Sequence, residues 1–345
     1  MPHSPIRVDG RRLHLHSAVS DPDFSAKPVL SGDPWDYIEL LLRRRHDEEA
    51  IFYWQQAKQF YNASTDLPET SSPLTSYYCF LNATKALLET KGTSYSEDHG
   101  VTGSTETGNV ALGNEIIRFK TGGVLPALCR LLKEPVNQST KYTLYDILYH
   151  VPFVHRAFQL TYSTPATLFI PVKETLIVQK ESSEEAWFSA EMNDKYTNRA
   201  TTRMLPPGFE KDEGISDKYV VRKKSRFEWD EDKLDKSIEK LKRHNRSVRK
   251  HVFPIFAARN RWYLKKHGEL SKGVDKPLLP LLFGAMHRLS ELARYNPLRL
   301  SMHLENQQNW LLTEFLRVAP AQFIHHAACE ISGRELIKPD AFRAE

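Results

Sequence analysis

The stretch Asp47–Gly92, DEEAIFYWQQAKQFYNASTDLPETSSPLTSYYCFLNATKALLETKG, decides the fold of this 345-residue chain. Its apolar residues recur at helical spacing on both sides of a short polar loop, which predicts two consecutive amphipathic helices. Asp47 can cap the first helix, and Ser72 followed by Pro73 is a typical start for the second. The second helix is apolar on more than one face, so we expect it to pack against several neighbours. The pair therefore predicts a helical core.

A family resemblance runs through this pair and continues towards the far end of the chain. The residues that carry it are Trp35–Arg45 (WDYIELLLRRR), Phe52–Ala57 (FYWQQA), Pro73–Lys85 (PLTSYYCFLNATK), Arg261–Lys265 (RWYLK), Leu289–Tyr295 (LSELARY) and Trp310–Leu316 (WLLTEFL). Together they resemble the bacterial YaaC-like proteins. Because that family has no settled activity, the resemblance implies no mechanism.

Composition indicates a soluble globular protein, with 40% hydrophobic and 26% charged residues. The N-terminus lacks the charged-then-apolar pattern of a signal peptide, and no apolar run approaches the roughly 18 residues of a membrane span. The three cysteines, Cys79, Cys129 and Cys329, are odd in number and widely separated. Buried reduced thiols are therefore predicted, in a cytoplasmic protein without membrane association.

The fold class predicted from these patterns is α+β and predominantly α-helical, a helical bundle with a small antiparallel β insertion. We expect an N-terminal arm with a hairpin at 1–33, a helical bundle at 34–165, a β meander and polar linker at 166–230, and a C-terminal helical unit at 231–345. Asp9-Gly10 supplies the tight turn of the hairpin. Alternating apolar residues from Leu168 to Ala190 predict a meander of about three strands, with a turn at 173–175.

Four local predictions complete the outline. A loop rich in glycine, serine and threonine is expected at 93–109, followed by a hairpin within 110–120. The helix that starts near Leu234 should end or kink at Pro254. Three more helices are expected at about 277–295, 305–318 and 320–332.

Basic residues are concentrated in one segment, which is the first candidate site. Between Lys233 and His267 there are twelve Lys or Arg against two acidic residues, a local net charge of +10 in a chain of +5. A helix that presents such cations can follow a phosphate backbone without reading sequence. The predicted nucleic-acid-binding residues are Lys233, Lys236, Lys240, Lys242, Arg243, Arg246, Arg249 and Lys250. The alternative is a solvated helix face, or one paired with acidic residues elsewhere.

Two arginine-histidine pairs in the same segment suggest a catalytic hypothesis. Helical ribonucleases of the HEPN type use an arginine four to six residues before a histidine, near helix ends, to orient the phosphate and to move protons. Arg246 with His251 and Arg261 with His267 match this spacing. Since fourteen histidines make chance matches common, surface or structural roles are the alternative.

Two weaker patterns lie in the C-terminal third. His325 and Cys329 fall on one helical face, but a zinc site needs a third and fourth ligand, so we predict no metal and no cofactor. In LSELARY, Glu291, Arg294 and Tyr295 stand among apolar residues, and so do Trp310, Glu314 and Arg317 further along the chain. They form either a buried Arg-Glu pair between helices or the wall of a cleft.

Two classes of function remain open. The first is a nucleic-acid-directed protein, in particular a HEPN-like RNase of a toxin or phage-defence system, for which a homodimer could complete the site. The second is a non-catalytic interaction or scaffold subunit. The expected partner is accordingly nucleic acid, RNA rather than DNA, or a protein.

Overall fold

The computed structural model describes residues 3–163, 167–257, 261–268, 273, 274 and 276–338. Its helices are α1 (Pro34–Arg45), α2 (Glu48–Thr65), α3 (Ser72–Thr90), α4 (Val124–Leu131), α5 (Leu144–Tyr149), α6 (His155–Tyr162), α7 (Arg199–Arg203), α8 (Leu234–Arg249), α9 (Leu278–Tyr295), α10 (Pro297–Glu305) and α11 (Asn309–Ser332). None of these helices is long and apolar enough to cross a membrane.

The strands are β1 (His3–Pro5), β2 (Arg7–Val8), β3 (Arg11–Arg12), β4 (Val29–Leu30), β5 (Val101–Thr105), β6 (Glu115–Phe119), β7 (Thr140–Thr143), β8 (Phe169–Lys180), β9 (Glu185–Met192), β10 (Phe209–Lys211), β11 (Val220–Lys223), β12 (Phe227–Glu228), β13 (Val252–Ile255), β14 (Arg261–Lys265) and β15 (Leu336–Ile337). Contacts divide the chain into two compact units. Unit 1 comprises Met1–Leu30, Thr167–Lys272 and Gly333–Glu345, and unit 2 comprises Ser31–Ala166 and Gly273–Ser332. The predicted boundary at 165/166 lies outside the described residues, and the predicted C-terminal unit 231–345 contributes chain to both units.

Unit 2 is built on the predicted helix pair α2 and α3. The side chain of Asp47 accepts a hydrogen bond from the Ala50 N–H, which confirms the predicted cap of α2. Ser72 is already helical and Ser71 is the cap residue of α3, one position before the prediction. The ring of Phe80 stacks on that of Phe323 in α11, with centroids 4.0 Å apart. Burial of α3 on several faces is thus confirmed.

The predicted cysteine chemistry is also confirmed in unit 2. Cys79, Cys129 and Cys329 are buried and free. Burial raises the pKa of the Cys79 thiol, so this sulfur stays protonated.

A three-stranded antiparallel sheet in unit 2 corrects the predictions for 93–120. The order is β5-β6-β7, so Val101–Thr105 is a strand inside the predicted loop. The predicted hairpin within 110–120 is wrong, because β6 pairs with β5 on one side and β7 on the other. Strand β5 reads VTGST and lacks a continuous apolar face, so its pairing partners rather than its own pattern make it a strand.

Helix α11 runs without a break through Pro320, where we predicted two separate helices. The flanking residues Ala319 and Phe323 are buried, and packing on both sides of the proline holds the helix together despite the lost hydrogen bond. Helix α10 was not predicted. It begins after Asn296, whose side chain accepts a hydrogen bond from the Arg299 N–H.

Unit 1 contains an eight-stranded antiparallel sheet instead of the predicted small β insertion. The main order is β10-β11-β9-β8-β14-β13, with β1 paired to β8 and β12 paired to β9. The predicted turn at 173–175 is a bulge inside the single strand β8, where Glu174 has a φ of 46°. The protein is therefore α+β, but not a helical bundle with a small insertion.

Helix α8 packs on this sheet and ends at Arg249, earlier than the predicted stop at Pro254. Pro254 lies in β13, the last strand of the order, where a missing backbone donor is tolerated. Leu241 and Val248 of α8 are buried in the apolar core with Ile177 and Phe188 of the sheet.

The predicted N-terminal hairpin is confirmed. Strands β2 and β3 pair across Asp9 and Gly10, whose φ values of 50° and 75° suit a tight two-residue turn.

Candidate nucleic-acid interface

The eight predicted nucleic-acid-binding residues all lie on α8 or at its ends, in unit 1. Three of them form ion pairs within the unit. Nζ of Lys233 is 2.7 Å from Oδ2 of Asp230, Lys240 pairs with Glu228, and Nζ of Lys242 is 2.9 Å from both Asp21 and Glu239. These pairs lower the positive charge that α8 presents to a polyanion.

All three arginines of the prediction donate to backbone carbonyls, and Arg243 donates to that of Glu239 within α8 over 3.4 Å. Arg249 is buried, donates to the carbonyls of Val252 and Ser17, and places its guanidinium 5.2 Å from the ring centre of Trp262. Arg246 donates to the carbonyl of Ser20 over 3.3 Å. Arg249 therefore joins the end of α8 to β13, and we assign it a structural role.

Lys236, Arg243 and Lys250 are exposed. Lys236 and Arg243 form no ion pair with any described residue. Of the other predicted residues, Lys233 is also exposed, although it is paired with Asp230.

A second group of basic residues lies near His251, where the chain leaves α8 and enters β13. We name Lys223, Lys250, His251, Lys265 and His267 the Lys223 cluster. Burial, followed by the charges of Lys223, Lys265, Lys250 and His267, lowers the pKa of His251 to about 4. His251 is thus neutral at pH 7 among groups of positive charge. The structure brings together three predicted residues here, Lys250, His251 and His267.

Lys223, the central residue of this cluster, is only 7% exposed. Its ammonium lies 4.5 Å from the ring centre of Phe209, whose ring is in edge contact with that of His251 at 5.6 Å. No carboxylate of the described residues forms an ion pair with Lys223. Burial and then the charge of Lys250 lower its pKa, which marks a cation held in an unfavourable position.

Backbone contacts fix the cluster's shape. The Lys265 N–H donates to the carbonyl of His251 over 2.7 Å. This hydrogen bond holds the end of β14 beside the start of β13. The Lys224 N–H donates to the carbonyl of Gly208, also over 2.7 Å, and Gly208 has a φ of 81°. Gly208, which belongs to the predicted polar linker, therefore lies beside Lys223.

Sequence reasoning missed Lys223. A signal existed in Val220–Lys224, VVRKK, where two β-branched residues precede three cations. Predicting a strand there would not have shown that Lys223 lies beside the basic segment. That placement depends on the pairing of this strand with β9, which the sequence does not reveal.

The two predicted catalytic pairs differ in setting. Arg246 is in the last turn of α8 and His251 follows the helix end, so this pair keeps the predicted position near a helix terminus. Arg261 is exposed and begins strand β14, and His267 follows that strand with its N–H bonded to the carbonyl of Met204. Among the described residues, Arg261 and His267 flank a strand and not a helix end, where HEPN-type sites place the pair.

The remaining sequence candidates lie in unit 2. His325 and Cys329 are buried in α11, and within the described residues no group of three or more His, Cys, Asp or Glu is placed to hold a metal. Glu291 pairs with Arg288, and Arg317 pairs with Glu69, so a pair between these two segments of α9 and α11 does not form. Instead, Glu291 and Arg294 line a cavity.

Comparison with known protein families identifies this chain's relatives. The family model described as YaaC-like Protein matches residues 16–331, which is most of the chain. No curated protein and no solved structure matches the chain.

Proposed function

The chain belongs to the YaaC-like protein family, and from that premise we propose that it binds the phosphate backbone of nucleic acid, RNA in preference to DNA, through the Lys223 cluster. The observation that carries this proposal is the nearly buried side chain of Lys223, whose charge no described carboxylate neutralises. Burying a charge without a partner is costly, so such an arrangement favours a ligand that supplies the opposite charge.

Phosphate is the anion that fits best. Lys250 and His267 are exposed and can contact a backbone from solvent. Lys223 is close enough to His251 for its charge to lower the pKa of that residue. Lys236 and Arg243 extend the positive surface along α8. Such an array binds by releasing counterions, and it contains no element that distinguishes bases.

A salt titration tests this function. Binding of a fluorescein-labelled single-stranded RNA of 20 nucleotides, and of the same DNA sequence, is measured by anisotropy at about 50 and 200 mM KCl. We expect binding that weakens with salt, and RNA binding tighter than DNA. Absence of binding at the lower salt would overturn the proposal and direct the search to protein partners.

Two double variants locate the interface. Lys223→Met with Lys250→Gln removes two charges from the cluster, and Lys236→Gln with Arg243→Gln removes two from the exposed face of α8 as the matched control. The first should lower the salt slope by about 1.4 and the second by less, because each phosphate contact with a single strand contributes about 0.7. Equal effects would show that net charge, and not the cluster, determines binding.

An NMR titration of His251 gives a readout independent of affinity. A bound phosphate offsets the cations that lower the pKa of His251, so RNA should raise this pKa. An unchanged His251 pKa with bound RNA would place the interface elsewhere.

The ribonuclease hypothesis is an extension of this proposal. His251 is neutral at pH 7 and so can accept a proton, and it follows Arg246 at the spacing noted above. RNA cleavage lost in His251→Ala but retained in His267→Ala would support the first pair, and the reverse would support Arg261 and His267. A homodimer that completes the site is tested by the mass in solution at cleaving concentrations.

The predicted interaction role is the second candidate, favoured by one face of α10. Leu298 and Met302 are four residues apart on this helix and are 74% and 48% exposed. A stable complex with a protein, lost in Leu298→Ser with Met302→Ser and retained in the Lys223 cluster variant, would favour it.

A further inference from the structure

Unit 2 contains a cavity of about 420 Å³ between α3, β5 and α9. We name it the α9 cleft. Tyr77 lines it from α3, and His99 and Lys120 line it from the segments that flank the sheet. His287, Glu291 and Arg294 line it from α9 at intervals of four and three residues, so they share one face of that helix.

Two polar atoms in the wall of this cleft lack hydrogen bonds. Tyr77 is 2% exposed and His287 is 5% exposed. Within the described part of the chain, neither Oη of Tyr77 nor Nδ1 of His287 has a hydrogen-bond partner. Buried polar groups have hydrogen-bond partners in the large majority of cases. Two unpaired polar atoms in one wall therefore indicate a ligand that supplies the missing hydrogen bonds.

The two side chains are neighbours and are firmly placed. The ring centres of Tyr77 and His287 are 4.9 Å apart, and that of His99 is 5.4 Å from Tyr77 and 5.9 Å from His287. The Tyr77 ring also meets Phe283 edge-on at 5.5 Å. These contacts hold both rings in place beside the cleft.

Glu291 shapes the cleft but is already occupied. Its Oε1 accepts from the Gly103 N–H over 3.1 Å, and its Oε2 accepts from Nη1 of Arg288 over 3.0 Å. Nδ1 of His287 lies 3.9 Å from Oε2 of Glu291, which is too far for a hydrogen bond. A side chain at position 103 would collide with this carboxylate, so Gly103 is needed for the arrangement.

Two cations lie at the mouth of the cleft. Lys120 and Arg294 are exposed, and neither forms an ion pair with a described residue. Among the acidic residues that line the cleft, Glu97 is paired with Lys85 and Glu291 with Arg288, which leaves Asp98 to oppose these two cations. The mouth therefore favours an anion, while the wall offers neutral hydrogen-bonding groups.

We propose that the α9 cleft binds a small organic oxyanion, with its phosphate or carboxylate against Lys120 and Arg294 and its hydroxyl groups hydrogen-bonded to Oη of Tyr77 and Nδ1 of His287. All these residues belong to unit 2, so the proposal is independent of nucleic-acid binding by the Lys223 cluster in unit 1.

Two probes of matched chemistry test the cleft in the full chain. Glycerol 3-phosphate and glycerate each carry hydroxyl groups and one oxyanion, and glycerol is the neutral control. Binding is followed by the side-chain NMR signals of His99 and His287 up to about 10 mM, a range that detects affinities near the weak end for small ligands. A saturable shift with either oxyanion and none with glycerol is expected, and the stronger probe identifies phosphate or carboxylate as the anion.

Variants separate the two ends of the ligand. Lys120→Glu with Arg294→Glu should weaken binding of either oxyanion about tenfold or more. Tyr77→Phe should weaken the binding of glycerol 3-phosphate about fivefold, because one hydrogen bond is lost. Binding of inorganic phosphate should be unchanged in Tyr77→Phe. Arg44→Glu, an exposed charge reversal on α1 of the same unit, is the control and should bind as the wild type does.

Three results would overturn the proposal: no histidine shift with either oxyanion, an equal shift with glycerol, or wild-type affinity in the Lys120/Arg294 variant. Circular dichroism of each variant establishes that it is folded before binding is compared. None of these outcomes depends on RNA binding, so the two proposals can fail separately.

Discussion

Arg288 and Glu115 form a buried ion pair, with Nη2 of Arg288 2.7 Å from Oε2 of Glu115 and neither side chain more than 7% exposed. The other carboxylate oxygen accepts from Nε of Arg299 over 2.5 Å and contacts Nε2 of His303 at 3.0 Å. Glu115 thereby connects β6 with α9 and α10 inside unit 2. Arg288 in turn holds Glu291 in the wall of the α9 cleft.

Removing the charge of Glu115 should strongly destabilise the protein. Glu115→Gln leaves Arg288 and Arg299 without their counter-ion, and breaking a buried pair in this way costs about 3–5 kcal/mol. The exposed pair Lys141–Glu106 provides the control, because Glu106→Gln should cost no more than about 1 kcal/mol. Urea unfolding followed by circular dichroism measures the free energy of unfolding of both variants. Equal losses of this free energy in the two variants would contradict the assignment of Glu115 as a buried counter-ion.

The same carboxylate predicts how stability depends on acid. Burial by itself would raise the pKa of Glu115, but hydrogen bonds from His303, Arg299 and Arg288 outweigh burial and lower the pKa to about 2. The stabilisation is therefore complete above the unfolded pKa and is lost as the pH falls from about 4.5 towards 2, by about 3 kcal/mol. The free energy of unfolding of the wild type minus that of Glu115→Gln should shrink over this range. A constant difference would mean that Glu115 is not paired as described.

Two adjacent glycines should respond differently to alanine. Gly123 has a φ of 113°, and a Cβ there would lie 2.6 Å from the backbone of Asp98 and Gly100. At Gly122 a Cβ would meet nothing within 4 Å. Gly123→Ala should cost about 2 kcal/mol or more, and Gly122→Ala about 0.5 kcal/mol or less. Similar midpoints of thermal unfolding for the two variants would show that the 98–100 segment moves away at little cost.

The charge of Lys223 should lower the free energy of unfolding of the protein without ligand. This cost is expected of a residue whose role is binding. Lys223→Met keeps most of the packing on Phe209 and removes the buried charge, so the protein should gain about 1 kcal/mol at pH 7. Lys236→Met on the exposed face of α8 is the control and should change little.

The gain should also depend on pH. Because the pKa of Lys223 is lowered on folding, the unfolded chain binds more protons between the folded and unfolded values, and wild-type stability rises with pH in that window. The advantage of Lys223→Met over the wild type should accordingly fall as pH approaches 10.5, the ordinary pKa of lysine. Loss of stability in Lys223→Met at pH 7 would instead make the ammonium a structural partner.

Local signals in the sequence determined the helices and turns that depend on neighbouring residues. Asp47 caps α2 through a hydrogen bond three residues away, and Asp9-Gly10 closes a two-residue turn. The apolar spacing of α9 acts over the same short range. In each case the residues that determine the structure lie within one or two turns of chain, so the sequence alone predicts it.

Only tertiary structure decided the rest, because the interacting residues are far apart in the chain. Pro320 stays inside α11, and Pro254 is accepted in an edge strand, through packing that no local pattern reveals. Glu115 finds its buried counter-ion 173 residues away in Arg288. Lys223 meets His251 only because β11 and the segment after α8 come together in one unit. Burial without a counter-ion, which makes Lys223 a candidate for binding, is a property of the folded chain and not of the residue type.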